Sequence, residues 1–293
     1  MPALFCWRRE CYYMEVSLRN IRLDLQYDGS AFEGFQKQRR EGARTVQGEL
    51  EKTLEKLLGT PIKTVTAGRT DTGVHATGQV VSFRTCSPMG SDAMRGALNA
   101  MLPVDIAVQR VREVELSFHA RHSALKRKYH YYILNCSNPS PFGSRYFYHI
   151  KRPLSLEPMK RASRYLLGEN DFTSFSTSIK EAGTPVRRIL GITIARVREW
   201  HDEGNPVIVP APHDLYENLI LLEIEGTGFL RRMVRMMVAA LVRVGLGKME
   251  PEEVRRILEA RDPGLVHTPA PPGGLYLVKV NYQEGEMVNL EED

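Results

Sequence analysis

Several things are missing from this sequence. Cys6, Cys11, Cys86 and Cys136 form no Cys-x-x-Cys pair and no Cys/His spacing of the zinc-finger kind, so they read as reduced cytosolic thiols. No apolar run reaches the roughly 18 residues of a membrane span. Arg8, Arg9 and Glu10 interrupt the stretch where a signal peptide would need apolar residues, so a cytoplasmic location is expected. Acidic residues are absent between Glu115 and Glu157, a span that holds seven Lys/Arg (Arg121, Lys126, Arg127, Lys128, Arg145, Lys151, Arg152) and the histidines 119, 122, 130 and 149. A second acid-free run lies between Glu225 and Glu250. The net charge is only +5, from 40 Lys+Arg against 35 Asp+Glu. Where that charge is concentrated therefore matters more than its sum, and the long acid-free span favours a nucleic-acid face.

With 293 residues and a 42% hydrophobic share, the chain can bury one large core or two ordinary ones. Residues 1–19 match no pattern of the remaining chain and read as an N-terminal extension, with an upstream start codon as one explanation and Met14 as the rival start. Residues 20–115 form a first half and residues 116–286 a second, with the boundary near Val111–Ser117. Residues 287–293 form an acidic tail.

Alternation of Ile21, Leu23 and Leu25 with polar neighbours predicts a strand over Ile21–Tyr27. Val46, Leu50, Leu54, Leu57 and Leu58 follow helical spacing, with Thr45 as N-cap and Gly59 past the end. Ile62–Ala67 and Gln79–Arg84 read as strands flanking a loop, and Asp92 as the cap of a short helix to Met101. The second half repeats the order in outline: strand Tyr129–Leu134, helix Leu156–Leu167 closed by Gly168, then strands Ile189–Val197 and Leu219–Ile224. A long helix over Phe229–Val244 comes next, then a helix with Pro251 at its first position. Thr268–Gly274 reads as an ordered turn into a last strand, Leu275–Val280, and Glu199–Asn218 as a surface hairpin. The fold class expected is α+β: two similar halves with mixed, mainly antiparallel sheets flanked by helices, and a central basic cleft.

The densest chemistry lies in Ala67–Gly78, AGRTDTGVHATG. Gly68 and Gly73 match the first positions of a P-loop, but Val74-His75 stands where Lys-Ser/Thr must hold phosphate and magnesium. Asp71-Thr72-Gly73 spells the aspartic-protease triplet, yet no second such triplet occurs, and Arg69 opposes the shared proton of a carboxylate pair. As a plain turn residue, Asp71 would accept from backbone amides. The surplus of polar groups (Arg69, Thr70, Asp71, His75), with three glycines at five-residue spacing that permit close backbone approach, favours a site.

GRTDTGVHATGQVVSF resembles the signature of tRNA pseudouridine synthases of the TruA type. So do Tyr27-Asp28-Gly29, Gly34–Gln38, Arg44–Gly48, Phe118–Arg121, Tyr129-x-Tyr131, Asp171-Phe172-x-x-Phe175, Gly228–Arg231 with Met233–Arg235, and Thr268-x-Ala270-Pro271 ahead of Gly274–Leu277. The resemblance implies isomerisation of uridine to pseudouridine in the anticodon arm of tRNA, at positions 38–40, by a homodimer without cofactor or metal. Asp71 is then the catalytic carboxylate, with the roles of nucleophile and base both open to it. Arg235 would pair with it and favour its ionised form. Arg69 would fill the space left by the flipped nucleotide, and Tyr129 would stack on the uracil. Phe118, His119, Ala120, Arg121 and His122, with Thr184, Pro185, Val186 and Arg187, match segments that touch tRNA. Tyr131 reads as the buried partner of Tyr129, and His75 as a structural member of the loop. On a helix, Arg231, Arg232, Arg235 and Arg243 would share one basic face opposite Met233, Met237 and Leu241.

Thr72, Thr227, Met236, Ala239 and Ala240 depart from the family pattern. The rival reading is a non-catalytic RNA-binding protein or tRNA chaperone on the same fold. It leaves a carboxylate facing an anionic polymer without a purpose.

Overall fold

The computed structural model describes residues 17–40, 42–177, 183–197 and 213–283, with the side chains of 213–215 excepted. Most of the N-terminal extension, residues 199–212 of the expected hairpin and the acidic tail lie outside the described residues; the described end of that stretch, His213–Asn218, is a 3-10 helix.

Ten strands form one sheet: β1 (Arg19–Tyr27), β2 (Val65–Thr66), β3 (His75–Thr85), β4 (Ile106–Val114), β5 (Lys126–Leu134), β6 (Tyr148–His149), β7 (Gly168–Asp171), β8 (Val186–Arg196), β9 (Leu219–Gly226) and β10 (Leu275–Asn281). Their order is β4-β1-β3-β10-β5-β9-β8-β7, with β2 paired to β3 and β6 to β5. Most pairings are antiparallel; β10 with β3 and β5 with β6 are parallel. The sheet is therefore mixed and mainly antiparallel, as expected, and it is continuous. β10 joins strands of residues 20–115 on one side to strands of residues 116–286 on the other, a long-range pairing that local patterning cannot show.

Among the described residues five α-helices accompany it: α1 (Val46–Leu58), α2 (Ser91–Met101), α3 (Leu156–Ser163), α4 (Met233–Gly245) and α5 (Pro251–Ala260). Leu50 and Leu54 of α1, Met94 of α2, Met159 of α3, Met237 and Leu241 of α4 and Val254 of α5 join Leu23, Tyr131, Leu222 and Leu277 of the sheet in the main core. Burying each such side chain contributes roughly 1.5–3 kcal/mol. Tyr132, Leu221, Tyr276 and Val278 point to the other face and form a smaller cluster with Phe147, Val197 and Tyr216.

α1 begins and ends as its sequence directs. The Thr45 side chain accepts from the Gly48 amide, and Gly59 takes the left-handed conformation at φ 70°. Four expectations are corrected. Ser91 starts α2 with Gly90 as N-cap, so Asp92 sits inside the first turn, where its charge still suits the helix dipole. α3 stops at Ser163 and tightens into a 3-10 turn over Arg164–Leu166. The strand expected over Ile62–Ala67 is only Val65–Thr66, whereas β3 starts four residues early, at His75, and absorbs the last third of the glycine-rich loop. α4 starts at Met233, because the chain turns at Arg232 with φ 61°. Arg231 and Arg232 therefore precede the helix and share no helical face with Arg235. β4 comes after a short turn, has no periodic signal of its own, and was not expected.

Gly78 sits at the β3–β10 seam, where a Cβ would stand 2.1 Å from the carbonyl oxygen of Val278. Gly78→Ala must part the two strands, a clash with backbone rather than with a yielding side chain. We expect a loss of about 1–3 kcal/mol of stability, as for other overpacked sites, measured by urea unfolding. An unchanged midpoint would show that the seam has slack.

Candidate active site

Asp71 lies in the loop between β2 and β3. The loop is fixed from below by buried polar groups. Tyr27 and Thr70 share a hydrogen bond between their hydroxyls at 2.8 Å, and Gln79 donates to the Tyr27 hydroxyl at 3.2 Å and to the Gly68 carbonyl at 2.8 Å. The Thr70 carbonyl accepts from the Phe35 amide at 3.0 Å, and the Asp71 carbonyl from the Val74 amide at 3.1 Å, which closes the turn at Gly73 (φ 76°). Burial pushes the Tyr27 hydroxyl far above its ordinary pKa, so it remains a neutral pivot.

Of the three spaced glycines only Gly78 approaches backbone closely, that of β10; Gly68 and Gly73 face side chains. A Cβ on Gly73 would meet Pro272 at 2.9 Å, and one on Gly78 would meet β10. Gly68 faces the Tyr129 hydroxyl, 3.6 Å from where its Cβ would be. Gly73 thus seats the loop on the segment that carries Ala270 to Gly273, and Gly78 seats the start of β3 on β10.

That segment also holds Arg235. The Ala270 amide donates to the Arg235 carbonyl at 3.0 Å, and Arg235 Nε donates to the Ala270 carbonyl at 2.6 Å. Arg235 Nη1 is thereby turned to Asp71 Oδ2 at 3.2 Å, with the arginine side chain 11% and the aspartate 23% exposed. The carboxylate is half-buried, ion-paired, and still open to a reactant.

Tyr129 and Tyr131 share the helix-side face of β5. Tyr131 is wholly buried and donates to the Pro271 carbonyl at 2.8 Å. Tyr129 meets Phe229 edge to face with ring centroids 5.0 Å apart. Burial pushes the Tyr129 pKa up to about 12, so its ring stays uncharged, as stacking on a base requires.

Asp71, Arg69, Tyr129 and Arg235 line one cavity of about 1320 Å³. Its other cations are Lys37, Arg39, Arg121, Arg127, Arg187, Arg231 and Arg232; among the described residues its only acids are Glu33 and Asp71. Among the segments expected to touch RNA, Arg121, His122 and Arg187 reach this cavity. The others do not line it. Phe118 is buried against Tyr282 (5.0 Å between centroids), and the Ala120 carbonyl accepts from the Tyr282 hydroxyl at 2.8 Å. His119 Nδ1 accepts from the Arg121 and His122 amides and so shapes the turn that presents those side chains. Thr184 and Val186 are exposed, Pro185 half-buried, and the Thr184 and Val186 carbonyls accept from Arg187 Nη1. Lys151 and Arg152 are exposed away from the cavity.

The sequence presents Arg127 as one member of a basic run, and Arg231 and Arg232 as part of a helix face. All three belong to the cavity wall. The pairing of Arg127 with backbone carbonyls has no sequence signal.

His75 is 2% exposed and stacked on Tyr276, with ring centroids 4.7 Å apart. Its Nε2 lies 3.2 Å from the Arg145 carbonyl, while its Nδ1 lies 3.1 Å from both the Gly29 amide and Asp28 Oδ1. The amide suits the neutral ring; the carboxylate would suit a protonated one. Burial outweighs the pull of Asp28 and holds the His75 pKa below its ordinary value. Burial also raises the Asp28 pKa, but hydrogen bonds from Ser30 and Tyr146 outweigh it and leave Asp28 below its ordinary value. His75 joins the start of β3 to Gly29 and Arg145, a structural role.

Known proteins share this chain's pattern. The family model for tRNA pseudouridine synthase matches residues 25–123 and 162–283. The chain is 42% identical over 264 residues to tRNA pseudouridine synthase A of Thermotoga maritima, covering 90% of this chain and 99% of that protein. It is 40% identical over 265 residues to the protein of the same name from Thermoanaerobacter sp. strain X514, covering 90% of this chain and all of that protein. To the one from Acetivibrio thermocellus it is 38% identical over 265 residues, covering 90% of this chain and all of that protein.

The His75 environment sets a pH dependence. Its folded pKa lies below the ordinary 6.5, so its contribution to stability is fully present above about pH 6.5 and is lost as pH falls through the folded value. Urea midpoints should therefore decline below pH 6.5, and more gently in His75→Gln. Parallel curves for the two proteins would exclude His75 as the titrating group.

Proposed function

The chain belongs to the tRNA pseudouridine synthase family, a family of isomerases, and from that premise we propose that it converts uridines of the tRNA anticodon stem-loop to pseudouridine with Asp71 as the catalytic carboxylate. One observation carries the reading: the carboxylate of Asp71 meets Arg235 at 3.2 Å inside a basic cavity that also holds Arg69 and Tyr129.

The reaction breaks the bond from the ribose to the uracil nitrogen, turns the base, and rejoins it through carbon. Nothing enters from outside. A duplex hides the sugar, so the nucleotide must leave the stack. Arg69 is exposed at the cavity wall, two residues before Asp71, and takes the space behind the flipped base. Tyr129 supplies a neutral ring for the uracil. Arg235, held by Ala270 at both its backbone and its guanidinium, gives the carboxylate an opposite charge that does not move during the reaction. Arg121, His122, Arg187, Arg231 and Arg232 face the phosphates. A homodimer and a cytoplasmic location complete the reading, both resting on the resemblance to the family; among the described residues no helix is long and apolar enough to cross a membrane.

Two measurements check it. Unmodified tRNA transcripts incubated with the protein should acquire pseudouridine in the anticodon arm, and Asp71→Ala should be slower by at least about 100-fold while still binding tRNA. Equal silence from both proteins would leave the RNA-binding reading standing instead. Affinity for tRNA should fall linearly on a log-log plot against salt, and Arg121→Ala should reduce that slope by about 1. A salt-independent affinity would remove phosphate contacts from the account.

A further inference from the structure

Arg127 lies two residues before Tyr129 on β5 and is 9% exposed. Its guanidinium turns inward. Nη2 donates to the carbonyls of Ala67 at 3.0 Å and Arg121 at 2.7 Å; Nη1 donates to those of Ala124 at 3.1 Å and Thr227 at 2.7 Å. No carboxylate pairs with it among the described residues. Burial accordingly pulls its pKa below the ordinary arginine value.

The four acceptors belong to three segments that border this cavity. Ala67 precedes Gly68, Arg69 and Asp71. Arg121 and Ala124 bound the turn that presents Arg121 and His122. Thr227 lies in the bend from β9 towards Phe229 and Arg235. An arginine that merely contacts RNA has no reason to be buried, and one that merely stabilises a core is usually matched with an acid. Neutral carbonyl acceptors satisfy the guanidinium without cancelling its charge beneath a site that must attract a polyanion. The planar fork of five N–H groups can reach four separate carbonyls; a lysine ammonium has three donors and no such span.

We propose that Arg127 is a positioning residue that locks the catalytic loop, the basic turn and the approach to α4 into one register, so that Arg69, Asp71, Arg121 and Arg235 act on the same nucleotide. The inference rests on the proposed isomerase function for its kinetic consequence, but not for its structural one.

The experiment compares wild type, Arg127→Lys and Arg127→Ala by hydrogen exchange and by single-turnover pseudouridine formation on a tRNA transcript. In Arg127→Lys, amides of residues 66–73 and 226–231 should exchange faster together while the helices keep wild-type protection. The turnover rate should fall about 100-fold, the cost of a misplacement near an ångström, with tRNA affinity changed far less. Added guanidinium ion should restore part of the rate of Arg127→Ala. Unchanged exchange in both segments overturns the proposal whether or not the protein makes pseudouridine, as does wild-type turnover by Arg127→Lys. Global unfolding of both variants would make Arg127 a folding residue and overturn it too. A wild type that yields no product would sink the functional reading alone, and exchange would still decide the role of Arg127.

Discussion

The pairing of β10 with β3 is the contact on which the rest of the site depends. β10 hydrogen-bonds in parallel to β3, through Tyr276 with His75 and Leu277 with Ala76, and antiparallel to β5 on its other side. It thereby brings the Ala270–Gly273 segment over the Asp71 loop. Ala270 then aims Arg235, Pro272 seats Gly73, and the Pro271 carbonyl takes the hydroxyl of Tyr131. Asp71 and Arg235 are 164 residues apart in sequence and meet only because this strand is inserted between the two parts of the sheet.

Much of this was legible in the sequence where the cause is local. α1 reads from Thr45 to Gly59 because its caps and apolar spacing act within a turn or two. The Asp71 loop stands out because so many polar groups crowd a short span. The start of α4 was not legible, since apolar spacing continues through Phe229 and Leu230 while the backbone turns at Arg232. The family resemblance implies RNA contact for the segment that holds Phe118 and Ala120, and no local pattern shows that both are buried, with Phe118 packed on Tyr282. Nor does a pattern of alternation say which strand is a neighbour of which, so the single sheet had to be seen.

The electrostatics of the cavity depend on how its cations are held. Arg235 is matched with the reactive carboxylate, and Arg127 with carbonyl dipoles. Arg231 and Arg232 line the wall as exposed side chains. Among the described residues, Arg127 and Arg187 of this wall are thus held by carbonyl oxygens, while Lys37 reaches Glu51 and Arg235 reaches Asp71. The left-handed backbone at Arg232 costs on the order of 1 kcal/mol for a residue with a Cβ. It places Arg231 and Arg232 side by side at the rim rather than along a helix.

The insertion of β10 also has a consequence for synthesis. β3 emerges from the ribosome early, with β1 to pair on one side and nothing for most of its other side until residues beyond 274 are made. For that interval the strand that leads out of the Asp71 loop is a partly open edge, and Arg235 has no Ala270 to aim it. Contacts this distant in sequence form slowly. A nascent or truncated chain lacking β10 therefore carries Arg69, Asp71, Tyr129 and Arg235 but no assembled cavity, which arrives late, with the final strand.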